Sequence, residues 1–112
     1  MANQPDEHIP ATLKFESGNE RKAQVVNLTG RGFVLICYAL NNAETALGSR
    51  VILEVSGPDI EGTQTAPGHI QGVRSEDSGH HRVSVWVDNG DDLDRMVEAG
   101  VGSKFNRRGA YR

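Results

Sequence analysis

Six short stretches of this 112-residue chain carry apolar residues in strand-like patterns, and turn-forming residues separate them. A two-residue period puts every second side chain on one face of an extended backbone, so such stretches ask for half-buried strands rather than helices. Residues 11–16, ATLKFE, set Leu13 and Phe15 against Thr12, Lys14 and Glu16, and SGNE follows as a turn. Residues 21–28 place Ala23 and Val25 on one face and run into Thr29-Gly30-Arg31-Gly32, whose glycines permit a tight bend between two antiparallel strands. Residues 33–40, FVLICYAL, form a nearly continuous apolar run rich in β-branched and aromatic residues, predicted as the most buried strand. In residues 50–55, Val51, Leu53 and Val55 alternate with Ile52 and Glu54. Residues 69–75 and 82–88 then predict a hairpin across the turn EDSGHH, with Val83, Val85 and Val87 inward and Arg82, Ser84 and Trp86 outward.

The segments between these strands read as loops. NNAETALGS is one, and residues 56–68, dense in Gly, Pro, Ser and Thr, predict an exposed, mobile connection. The single helical signal lies at residues 91–99, where Leu93, Met96 and Val97 share a face, acids crowd the first turn and Gly100 offers a stop. This helix is expected to cover Trp86. Six strands, a helix and a polar basic tail fit one all-β domain, a small barrel or sandwich, since a chain of this length holds a single core.

Thirteen glycines with 5% aromatic residues imply many turns around a lean core. No run approaches the roughly 18 apolar residues that span a bilayer, and MANQPDEHIP lacks the basic and apolar regions of a signal peptide, so a cytoplasmic location without a membrane span is expected. Cys37, the sole cysteine, excludes an intrachain disulfide, and its apolar setting predicts a buried thiol. Residues 1–100 carry 8 basic and 15 acidic side chains, a charge of −7, whereas Lys104, Arg107, Arg108 and Arg112 make the tail +4. An acidic body repels nucleic-acid backbones, so DNA and RNA are not expected partners; an anionic partner must be small or meet the tail.

The histidines His8, His69, His80 and His81 match no zinc spacing, and His80-His81 falls in a predicted turn, so no metal site is expected. Asp91, Asp92 and Asp94 read as helix-capping acids, because a calcium loop needs further alternating ligands and a distal Glu. No nucleophile elbow, dinucleotide fingerprint or phosphate-binding lysine motif occurs. A binding module, without a catalytic residue or cofactor, is the expectation, and not an enzyme.

At Asn27-Leu28-Thr29-Gly30-Arg31-Gly32 the chain resembles the PilZ family, whose members carry a D/N-x-S-x-x-G signature at the turn after an early strand. Asn27, Thr29 and Gly32 occupy its places. Leu47-Gly48-Ser49-Arg50-Val51 is similar to the family's P-x-G-x-x-V segment, and Arg82-Val83-Ser84-Val85-Trp86-Val87-Asp88 to its R-V-G-V-x-F strand. The likeness spans residues 11–99 and implies a six-stranded antiparallel PilZ-like β-barrel with a short C-terminal helix, binding cyclic di-GMP on its outer surface. Residues 1–102 would form the barrel domain and residues 103–112 a basic tail or linker.

The family's ligand clasp also uses an R-x-x-x-R motif ahead of the barrel, since guanidinium groups donate paired hydrogen bonds to guanine or phosphate. Residues 1–20 contain no arginine, Thr29 replaces Ser while keeping the hydroxyl, and Ser84 stands where the family usually has Gly or Ala. Arg108 and Arg112 have that spacing at the other end, beside Arg107. The tail is a solvated terminus, the start of a second PilZ domain in a tandem regulator, or a segment that brings arginines to Asn27 and Thr29. The resemblance thus implies a cyclic di-GMP signalling module that binds the dinucleotide or partners a receptor domain or target protein, with Asn27, Thr29, Gly32, Arg107, Arg108 and Arg112 as candidate ligand residues. The alternative is a ligand-free interaction barrel using Trp86, Val101 or Phe105 as apolar contacts.

Overall fold

A computed structural model describes residues 9–38, 40–57, 60–76 and 79–101. The elements are β1 (Ile9–Phe15), β2 (Glu20–Leu28), β3 (Gly32–Tyr38), β4 (Arg50–Val55), β5 (Gln64–Ser75), β6 (His80–Val87) and α1 (Gly90–Glu98). The strands close into a barrel in the order β1-β2-β3-β6-β5-β4, and every neighbouring pair is antiparallel. Closure satisfies both edges of every strand, which stabilises a small sheet that would otherwise present unpaired amides.

The alternation in the sequence becomes the inside and outside of this barrel. Leu13, Val25, Leu35, Leu53, Ile70, Val83 and Val85 are fully buried, one or two from each strand. The run in β3 also alternates: Phe33, Leu35 and Cys37 are buried while Tyr38 is 49% exposed. Burial, with a smaller contribution from the charge of Glu44, pushes the Cys37 thiol up to about 12, so it stays protonated and inert.

Part of the expected loop at residues 56–68 is strand. Residues 64–68 extend β5 and pair with β4 from Val55↔Gln64 to Val51↔Gly68, burying Ala66. Gly68, which reads as loop composition, is small because a neighbouring backbone comes close. A Cβ on Gly68 would lie 2.4 Å from the Trp86 carbonyl oxygen. His80 and His81 likewise belong to β6 rather than a turn, opposite Tyr38 and Cys37, and the His80 ring meets Tyr38 edge-on at 4.4 Å.

Helix α1 packs its apolar side on the barrel core. Met96 and Val101 are fully buried, and Leu93 and Val97 pack against the core cluster. Its N-cap is Asn89, whose Oδ1 accepts from the Asp91 amide at 2.7 Å, so Asp91 and Asp92 are first-turn residues rather than caps. At the other end Gly100 adopts φ 112°, the Gly100 amide donates to the Val97 carbonyl and the Val101 amide to that of Met96. That pair of bonds is a Schellman stop, which directs Val101 back into the core. Trp86 has Arg31 over its ring, 4.9 Å from the centroid, and the His69 ring at 6.1 Å. No described helix is long and apolar enough to cross a membrane.

One polar feature of the core went unread in the sequence. Glu44, in the β3–β4 connection, is 3% exposed; it accepts from Asn19 Nδ2 at 2.9 Å, Arg21 Nε at 3.0 Å and the Asn41 amide at 2.9 Å. Burial alone would raise its pKa, but the bonds from Asn41, Asn19 and Arg21 and the charge of Arg21 together outweigh that and hold it below its ordinary 4.5. The folded pKa lies below the unfolded one, so this contribution is complete above the unfolded value and is lost as pH falls through the folded one. Glu44→Gln is expected to cost about 2 kcal/mol at neutral pH, as hydrogen bonds to a charged group weaken. Urea titrations at pH 7 and pH 3 check this: the variant's deficit shrinks toward the acid end, and an unchanged deficit contradicts the assignment.

Candidate ligand-binding groove

The N-x-T-x-x-G segment forms the bend between β2 and β3. Thr29 Oγ1 accepts from the amides of Arg31 at 3.2 Å and Gly32 at 3.0 Å, while the Thr29 amide donates to the Gly32 carbonyl at 2.9 Å. The hydroxyl therefore builds the turn in the manner of a side-chain mimic of backbone bonding. Gly32 is buried against β6, and a Cβ there would lie 1.9 Å from the Val85 carbonyl oxygen. With Gly68 on the opposite side, β6 is flanked by close-approaching glycines at this end of the barrel.

Asn27 differs from its two motif partners, because it is exposed. The β2–β3 register shifts between Val25 and Asn27, a bulge of the kind that re-aims side chains. Its Oδ1 accepts from the Leu28 amide at 2.8 Å, and its Nδ2 has no partner among the described residues. A second register shift, between Ile70 and Gly72, interrupts the β5–β6 ladder.

Residues beside these two bulges share one outer-face groove of about 380 Å³, lined by Asn27, Val34, Gly72, Val73, Arg74, Arg82 and Ser84. Arg74 and Arg82 stand directly opposite each other in the β5–β6 register. Glu76 Oε2 accepts from Arg82 Nε at 2.9 Å and from Arg74 Nη2 at 3.4 Å. The Arg82 hydrogen bond, reinforced by the charges of both arginines and opposed by partial desolvation, holds the Glu76 carboxyl below its usual range. Among the described residues, two guanidinium groups against one carboxylate leave the groove with a positive excess.

The other side of the bend is chemically opposite. There Leu28, Thr29 and Gly30 face Leu93, Asp94, Val97 and Glu98 across a groove of about 200 Å³ whose charged groups are acidic. An anion meets attraction on one side of the bend and repulsion on the other.

No protein-family model and no curated protein matches the chain. The groove's polar lining is two arginines, an amide and a hydroxyl. It brings together Asn27 and Ser84, while Thr29 and Gly32 support the bend beside it. Arg107, Arg108, Arg112 and Phe105 lie outside the described residues. Val101 is buried in the core and is not available as a surface contact. No group of three or more His, Cys, Asp or Glu that could hold a metal occurs among the described residues. Sequence reasoning missed Arg74 and Arg82 as site residues. Arg82 was legible as outward-facing, but a cross-strand pairing through a bulge leaves no motif.

Proposed function

We propose that this chain is a PilZ-like cyclic di-GMP signalling module that takes up the dinucleotide on the outer face of its barrel, beside Asn27. The observation that carries the reading is that exposed Asn27, first residue of the N-x-T-x-x-G segment, lines a groove on a closed six-stranded antiparallel barrel together with two guanidinium groups. Guanidinium can donate paired hydrogen bonds to a phosphate or to guanine O6 and N7. Asn27 Nδ2 adds a neutral donor. Binding there shifts the module toward a liganded state that exposes a different surface to a receptor domain or target protein. The module acts by binding and not by catalysis.

Trp86 supports a second reading, a ligand-free interaction barrel. Its ring is only half-buried and carries Arg31 over one face, and Trp and Arg are common interface anchors. Amide shift mapping separates the two. Cyclic di-GMP added to the 112-residue chain is expected to move the amides of residues 27–32, 72–74 and 82–84. A spectrum unchanged at millimolar dinucleotide, with no heat in calorimetry, removes the receptor reading.

A further inference from the structure

We infer that Arg74 and Arg82 form a phosphate-binding fork kept occupied by Glu76, and that the phosphodiester of a ligand displaces this carboxylate on binding. The inference rests on the groove being the ligand site proposed above, and adds which groups grip the phosphate and how the site is regulated.

Like charges placed directly across a strand pair repel, so the Arg74↔Arg82 register position is unfavourable without an anion between them. Glu76 supplies one, but incompletely. Both arginines contact the same oxygen, Oε2, and the Arg74 contact at 3.4 Å is long for a hydrogen bond. Arg82 uses only Nε, which leaves both terminal nitrogens without a partner among the described residues. Arg74 is 72% exposed and its ion pair is therefore weak and readily exchanged. A phosphodiester offers two non-bridging oxygens, one for each guanidinium, and neutralises the positive excess that a single carboxylate shares with two cations. Glu76 is thus a competitor: it stabilises the empty groove and sets a threshold that an anion has to exceed. Asn27 and Ser84 in the same groove offer further donors to such a ligand.

Calorimetry on the full chain with cyclic di-GMP, and separately with inorganic pyrophosphate, tests this across Glu76→Gln, Arg82→Gln and Arg82→Lys. The amide spectrum of the core residues verifies that each variant is folded. Glu76→Gln is expected to tighten cyclic di-GMP at least threefold, Arg82→Gln to weaken it at least tenfold, and Arg82→Lys to leave most of that loss unrestored. If cyclic di-GMP binds and none of the substitutions changes its affinity, the fork is wrong while the receptor reading stands. If cyclic di-GMP fails to bind but pyrophosphate shifts the Arg82 Nε–Hε resonance, more strongly in Glu76→Gln, the fork stands and the dinucleotide assignment falls. Silence with both anions overturns the fork, and so does weaker binding by Glu76→Gln.

Discussion

Gly32→Ala is expected to destabilise the protein by about 3 kcal/mol or more, enough to unfold much of a small domain with a lean core. The added Cβ would sit 1.9 Å from the Val85 carbonyl oxygen and 2.9 Å from the Trp86 Cα, both backbone atoms that cannot rotate away. Relief requires β3 to part from β6 along the ladder that runs from Gly32↔Trp86 to Tyr38↔His80. Gly30, two residues away in the same bend, has open space around its Cα, and Gly30→Ala is expected to change stability by no more than about 0.5 kcal/mol. Urea unfolding of the two variants gives the comparison, and equal stabilities would contradict the close approach of the strands. A loss of ligand binding in Gly32→Ala would therefore report a lost fold, and ligand contacts are better probed at exposed Asn27.

Met96→Ala is the second large effect, about 2–5 kcal/mol for a fully buried Met replaced by Ala. Met96 is the one fully buried residue of α1, and the Schellman bonds place Val101 beside the helix end in the same core. Polar ties remain in the variant, since Arg95 donates to the Thr65 carbonyl at 2.8 Å and the Glu61 amide to that of Ala99 at 2.9 Å. These ties are exposed or peripheral and hold the helix only weakly once its anchor is gone. Amide exchange is expected to show α1 losing protection before the barrel strands do. A stability change under about 1 kcal/mol would mean that Met96 does not join the core as the fold requires.

The strands most visible in the sequence are those whose two faces meet different surroundings. Val51, Leu53 and Val55, like Val83, Val85 and Val87, show the two-residue period because the barrel interior is apolar and its outside is wet. The helix was equally legible, since Leu93, Met96 and Val97 share a face and Gly100 alone can take the positive φ of the stop. The first half of β5 was not. Gly68 is small because the Trp86 backbone approaches it, and a demand imposed by a strand far along the chain looks, locally, like loop composition. Glu44 was hidden for a related reason: its partners Asn19 and Arg21 lie more than 20 positions earlier.

By itself, the amino-acid order determined that this chain builds short strands with a helix after them, where its main bend falls and which side chains are sorted to the interior, because period, turn chemistry and capping act between near neighbours. Only the tertiary structure decided that the strands close in the order β1-β2-β3-β6-β5-β4, and that Arg74 and Arg82 stand opposite each other beside Asn27 in one groove. Those relations depend on ladder register and on the two bulges that shift it. Register is set jointly by paired strands, so no single segment carries it.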